Sequence, residues 1–405
     1  MKQLQVSTRY SARKRSFLTE LARDLVSLGG RAKVQCHGRT IYFFAKIRHP
    51  AKQTAIAQLK AIRNRRLVSE AKFIYKMEKQ GIGNLFANGR DVHIHQIKPA
   101  IRICRTRREN EIFHYCRLLQ SFPTANLIGR QLRVLVFDEG QDRPLLMGAI
   151  GLSSSPYSLS CRDKFLHWDS KRKGQLLNKG LDALMQLAVC MSWPPYSYLL
   201  GGKLMAALAL SKTVADEYEL KYKRKLRRGT KLQGLTTICA GGTHCPIFHR
   251  IMLRPGGLYR RVGETSGYTT AYFSQETMNR ARRLVESSRR HRDSAVFGKS
   301  MRIIKSALRI CDLPYEQIVK NGLRKGVYLG FASSEAAGNL REGRTNRTVS
   351  VPAQRQIVEY WQNRLLPTRL CRRDIKKKIQ QFKGQMLLLG LQVNQLRNEN
   401  AQALR

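Results

Sequence analysis

Carboxylates are scarce in this chain. Its 405 residues hold 27 Asp and Glu against 75 Lys and Arg, a formal charge of +48 at pH 7. With so few acids, no set is spaced for two-metal nuclease chemistry, and no transposase-like acidic triad can be picked out. No run reaches the roughly 18 uninterrupted apolar residues of a membrane span. The longest runs, 184–191 and 204–210, have the length of core helices. The opening residues contain no apolar h-region, so no secretory signal is expected. The nine cysteines include no CxxC pair, which points to reduced thiols and a cytoplasmic location. A P-loop, a nucleophile–His–Asp signature, a zinc finger, an RNA-recognition signature and a helix-turn-helix are also absent.

What is present is a hydrophobic fraction of 42%, enough for a core in every part, and an excess of positive charge. Such self-repulsion opposes compaction unless a polyanion shares the charge, and nucleic acid is the simplest candidate. The charge is spread along the chain rather than held in one amphipathic patch, which argues against a membrane surface. Four groups stand out: Lys60, Arg63, Arg65 and Arg66; Arg105, Arg107 and Arg108; Lys223, Arg224, Arg227 and Arg228; and Arg282, Arg283, Arg289, Arg290 and Arg292. Each offers point charges or planar forks to phosphate. Tyr218, Tyr222, Tyr259 and Tyr268 lie in or near them and could stack on bases. Any one group reads as solvated surface. Together they predict nucleic-acid binding, DNA before RNA, through backbone phosphates rather than base edges.

The fold class reads as α+β. Residues 1–122 form a basic N-terminal α+β region: a helix over 11–29 with Phe17, Leu18, Leu21 and Leu25 on one stripe, strands at 33–36 and 40–45, and helices over 51–80 and 109–120. Residues 123–275 form a mixed α/β core. It holds a hairpin of 132–137 with 145–152, an apolar helix over 175–191, a short strand at 196–200, a helix from 204 to 222, and strands at 234–239 and 258–262. Residues 276–367 are a basic helical region, loop-rich over 333–352. Residues 368–405 are a C-terminal amphipathic helix. Its Ile375, Ile379, Phe382, Met386, Leu389, Val393 and Leu396 are spaced 4-3-4-3-4-3, a coiled-coil-like seam. The seam predicts a homo-oligomer through 375–396, or a terminal helix packed on its own domain.

Three small constellations carry possible chemistry. Gly201-Gly202-Lys203, read between a strand and a helix, is a candidate anion cradle for a nucleic-acid phosphate or a CoA pyrophosphate. A tight turn that needs glycine for steric reasons is the plainer alternative. Arg162, Asp163, His167 and Trp168 are the catalytic candidates, with Asp163 or Asp169 as a base and His167 as an acid–base group. An Arg–Asp pair fixing a loop is the alternative there. Cys239, His244, Cys245 and His249 put four soft ligands within eleven residues, but not at finger spacing, and no metal is expected.

Four stretches together resemble a known family: MGAIGLSSSPYSLSCRDKFLHWD (147–169), PPYSYLLGGKLMAALALS (194–211), LTTICAGGTHCPIFHRI (235–251) and YRRVGETSGYTTAYF (259–273). They are similar to the DruA family of the Druantia anti-phage system, over roughly 100–367. Tyr196, Thr236, Thr237, Arg250, Gly263, Thr265 and Gly267 match family-motif positions. The family's usual serines and Tyr-x-Arg give way to His244-Cys245 and Phe248-His249-Arg250, and its aromatic-His to Tyr268-Thr-Thr. The resemblance implies a bacterial defence protein acting with other Druantia proteins, including a large helicase-like component. The order hairpin, helix, strand, glycine turn, helix, strand also resembles the GNAT acyltransferase core, which implies a CoA-type donor or a core reused for binding. The expectation is therefore a nucleic-acid-binding defence protein. The alternatives are a GNAT-like nucleic-acid-modifying enzyme and, behind it, a nuclease or transposase-like enzyme.

Overall fold

The computed structural model describes residues 2–27, 30–47, 52–122, 127–168, 173–227, 229–239, 242–266, 273–288, 300–319 and 324–402. They fall into two compact units, Met1–Ile62 with Ser266–Arg324 and Arg63–Thr265 with Lys325–Arg405. This division cuts across the four segments expected from composition, because chain far apart in sequence completes each core.

In the first unit, β1 (Lys2–Arg9), β2 (Arg31–His37) and β3 (Thr40–Ile47) form an antiparallel sheet in the order β1-β3-β2. Successive β3 side chains alternate between faces. Ile41, Phe43, Ala45 and Ile47 are buried with Phe17, Leu18, Leu21 and Leu25 of the helix Ala12–Ser27. Helices Gln275–Glu286 and Ser300–Ile310 complete this core through Ala281, Leu284, Ile304 and Leu308. Buried Asp24 accepts the Ser274 amide at 2.8 Å, and burial pushes its carboxyl above the usual range. The β2–β3 hairpin matches the sequence reading. β1 does not appear in that reading, since KQLQVSTR buries little more than Leu4 and Thr8.

The second unit is built on β4 (Pro99–Ile103), β5 (Gln131–Asp138), β6 (Leu145–Ser154), β7 (Leu184–Ser192), β8 (Gly234–Ile238), β9 (Tyr259–Glu264) and β10 (Gly326–Phe331). They form one sheet in the order β4-β5-β6-β7-β8-β10-β9. Every neighbouring pair is antiparallel except β7–β8, which runs parallel from Leu184–Gly234 to Gln186–Thr236. The expected helix over 175–191 is instead a helix, Lys173–Asp182, followed by β7. A short, nearly continuous apolar run looks alike in a central strand and a core helix. Residues 196–200 form a 3-10 turn, Tyr196–Leu199, rather than a strand. The expected helix 204–222 is two helices, Gly201–Leu208 and Lys212–Tyr222, with Ser211 capping the second.

The tail is not one continuous helix. Helix Arg373–Gln381, an extended Phe382, a 3-10 turn Gly384–Leu387 and helix Gly390–Gln402 share the seam between them. Ile375 and Ile379 enter the core around β5–β7, and Leu389 and Val393 enter the core beside the helix Ala71–Lys79. Met386, in contrast, is 67% exposed. The glycines explain the break: a Cβ on Gly390 would sit 2.4 Å from a Glu78 carboxylate oxygen, and one on Gly384 would sit 3.0 Å from the Phe86 carbonyl. The seam is spent on the chain's own unit, not on a coiled coil.

Candidate nucleic-acid interface

Gly201, Gly202 and Lys203 form the first turn of helix Gly201–Leu208, after Leu200 turns the chain with a φ of 61°. Gly201 is required sterically, since a Cβ there would lie 2.4 Å from Ser192 Oγ and 2.7 Å from the Tyr196 carbonyl. A Cβ on Gly202 would meet Ile247 at 3.4 Å. The Lys203 amide already donates to the Leu200 carbonyl at 2.9 Å, and its ammonium donates to the His249 carbonyl. Glycine is thus needed at 201 for steric reasons, and Ile247 lies in ordinary contact distance of where a Cβ on Gly202 would be.

What the turn does assemble is charge. Burial first, then the guanidiniums of Arg250 and Arg369, lower the Lys203 pKa, and no carboxylate offsets them. Arg250 is exposed and left-handed (φ 54°) at the end of the loop after β8. Arg369 lies on the short helix Pro367–Leu370, which packs with helix Arg373–Gln381 against the Tyr196–Leu199 turn. That second helix buries Ile375 and Ile379 and exposes Arg373, Lys376, Lys377 and Lys378. Its acid, Asp374, is engaged by Arg372 at 3.0 Å and Lys378 at 3.9 Å. Among the described residues Arg373, Lys376 and Lys377 have no acidic partner, so exposed cations continue on the helix that follows Arg369.

Three of the four catalytic candidates, Arg162, Asp163 and Trp168, form a closed structural knot. Arg162 is fully buried; it donates to Asp163 Oδ1 at 2.8 and 2.6 Å, to Ser155 Oγ at 2.9 Å, and to the Pro156 and Tyr157 carbonyls at 2.6 and 3.1 Å. Asp163 Oδ2 accepts the Leu159 amide at 3.1 Å. The Arg162 guanidinium lies 5.3 Å from the Trp168 ring, whose indole N–H donates to the Leu340 carbonyl at 2.9 Å. His167 is exposed and not part of the knot, and Asp169 lies outside the described residues. With every donor of Arg162 satisfied inside the fold, the pair holds a loop and presents nothing to a substrate.

A second cluster follows β8. The Cys239 thiol hydrogen-bonds to Cys245, lowering the Cys245 pKa, with the Ile247 and Phe248 amides helping against burial. His249 Nε2 and the Tyr328 hydroxyl are 2.6 Å apart, and the Cys245 amide donates to that hydroxyl at 3.2 Å. Cys239 thus pairs with Cys245 and His249 with Tyr328, while the His244 ring lies edge-on to His249 with centroids 6.2 Å apart. Among the described residues no group of three or more His, Cys, Asp or Glu is arranged to hold a metal ion.

The family model for Druantia protein DruA matches residues 50–341. The chain belongs to the Druantia DruA family. The Druantia protein DruA of Escherichia coli (strain UMEA 4076-1) is 26% identical over 295 residues, covering 70% of each chain. No solved structure matches the chain.

The DruA-motif positions mostly hold the frame. Tyr196 donates to Asp138 at 2.9 Å, and Asp138 also accepts the Lys98 and Gly140 amides. Thr236 accepts from Ser155 at 3.2 Å, extending the Arg162 knot into β8, and Thr237 donates to the Leu187 carbonyl at 3.1 Å, just past the last β7–β8 pair. A Cβ on Gly263 would lie 2.7 Å from that of Cys161, and Thr265 exchanges hydrogen bonds with Lys325 at 2.9 and 3.1 Å. Gly267 and Tyr268 lie outside the described residues.

The four basic groups divide. Arg63 is committed to the Gln120 and Leu118 carbonyls, and Arg108 to Gln80. Arg66 is half-buried. Arg105 pairs with Glu217 at 2.7 Å and Arg107 with Glu111 at 3.3 Å, though both stay largely exposed. Arg227 lies 4.0 Å from Asp182. Lys60, Arg65, Lys223, Arg224, Arg282 and Arg283 are exposed, and Arg228, Arg289, Arg290 and Arg292 lie outside the described residues. The sequence reading includes the tail as an amphipathic helix over 368–405 but not the basic face of Arg373–Gln381; the alternation of Lys with two inward isoleucines was the available signal.

Proposed function

We propose that this DruA-family chain acts in bacterial anti-phage defence as a nucleic-acid-binding subunit in the cytoplasm, working with other Druantia proteins, among them a helicase-like component. The observation that carries the reading is the cluster of Lys203, Arg250 and Arg369, with exposed Arg373, Lys376 and Lys377 on the following helix of the same unit and no acidic partner for these three among the described residues. Such cations suit the phosphates of DNA. No helix among the described residues is long and apolar enough to cross a membrane. Fluorescence anisotropy with labelled DNA tests the reading. A chain carrying Lys203→Gln, Arg250→Gln and Arg369→Gln should bind more weakly at every sequence tried, with a shallower salt dependence. Wild-type protein that fails to bind DNA refutes it.

A second reading, a GNAT-like core, draws on the strand arrangement. One parallel pair interrupts an antiparallel sheet, and a glycine turn and helix follow the first strand of that pair. The Lys203 ammonium is already engaged by the His249 carbonyl, which weighs against its gripping a CoA pyrophosphate. The reading therefore favours such a core reused for binding over an active acyltransferase. Mass-resolved nucleoside analysis after incubation with DNA and acyl-CoA separates the two, and a new adduct would favour the enzyme.

A further inference from the structure

We propose that the open face of the β1-β3-β2 sheet binds single-stranded nucleic acid by stacking bases on Tyr42 and Phe44. The inference rests on the nucleic-acid reading above and deepens it, naming a surface and a strandedness. The alternation that buries Ile41, Phe43 and Ala45 turns Tyr42, Phe44 and Lys46 of the central strand to the other face. Register places Lys33 of β2 opposite Phe44, Arg31 opposite Lys46, and Arg9 of β1 opposite Thr40, and directly opposed residues share a face. These flanking cations are exposed.

Two features select the occupant. The three strands contain no Asp or Glu, and among the described residues Arg9, Arg31, Lys33 and Lys46 have no acidic partner, so the face is complementary to a polyanion. At its centre the Tyr42 and Phe44 rings lie within 15° of parallel, with centroids 6.5 Å apart. Two half-exposed aromatic rings would cost solvation on a sheet meant only for water. Beside four cations they form the combination that tracks a single strand: π-faces for successive bases and charges for the backbone. In a duplex the base faces are stacked inside, so the rings would add nothing. This sheet lies outside the residues matched by the DruA family model.

The test compares wild type with a Tyr42→Ala/Phe44→Ala variant of the full chain, using fluorescein-labelled oligo(dT) and a duplex of the same length. The variant should lose at least about tenfold affinity for oligo(dT) and keep its duplex affinity. Tyr42→Phe/Phe44→Tyr should restore oligo(dT) binding, which a merely unfolded sheet would not allow. Photocrosslinking of iodouracil-substituted oligo(dT) to the wild type should map to Tyr42 or Phe44. Unchanged oligo(dT) affinity in the alanine variant, equal loss on both probes, or crosslinks confined to other segments overturns this inference while leaving nucleic-acid binding intact. Failure of the wild type to bind either probe overturns the functional reading and this inference with it.

Discussion

Arg162 shows how a residue can look catalytic in sequence and be structural in space. An Arg-Asp pair near a Trp and a His suggests acid–base chemistry, yet burial and five hydrogen bonds bind it into one loop. Removing the guanidinium strands a buried carboxylate. Arg162→Ala should therefore destabilise the protein by about 3–5 kcal/mol, read as a lowered unfolding midpoint. An Arg162→Met/Asp163→Leu double variant should recover much of that loss; a stable double variant that has lost DNA binding would point to a direct role instead. Cys245 makes a different prediction. A thiol held low by a Cys239 hydrogen bond carries more thiolate at neutral pH, and the thiolate is the nucleophile. Alkylation of Cys245, followed by peptide mass spectrometry, should have a pH midpoint below the ordinary value of about 8.5. Cys239→Ala should move the midpoint up. An unchanged midpoint would show that the thiol pair does not set the reactivity. None of this coupling was legible in sequence, because Tyr328, Cys239 and His249 meet only through the pairing of β8 with β10.

Among the elements, local patterns were legible where one face is wet. The β2–β3 hairpin and the helix Ala12–Ser27 alternate or stripe in this way, and the sequence reading located both; the β5–β6 hairpin was located from its two apolar runs and the turn between them, although β6 is buried along nearly its whole length. β7 misled because its sequence is a nearly continuous apolar run with no polar alternation to mark a strand. β10 was passed over for the same reason, its six residues being wholly buried. The tail misled because a heptad seam records which residues are inward, not what they meet. Gly384 and Gly390 hold the decisive information, but only contact with Phe86 and Glu78 shows why they are needed. Leu389→Ala should cost about 2–5 kcal/mol of unfolding free energy, since the side chain lies in a core of its own unit. A change in sedimenting mass without a change in stability would restore the coiled-coil reading.

For the whole molecule, the charge of +48 was plain from composition, and it is what motivates the proposed polyanionic partner. Its distribution was not. Some basic residues singled out in sequence are consumed in the fold, as Arg63 and Arg108 are, while the tail helix and the N-terminal sheet carry exposed cations that no motif marks. Tyr196, Thr236, Thr237, Gly263 and Thr265 are engaged within the frame of their own unit. The cations that face solvent are what remains for a ligand. The most direct test of the central claim is DNA affinity across a salt series. Phosphate contacts from these surfaces predict a linear fall of log K with log salt, losing on the order of 10³-fold or more between about 50 and 200 mM. An affinity indifferent to salt, or no binding at the low-salt end, would contradict the account.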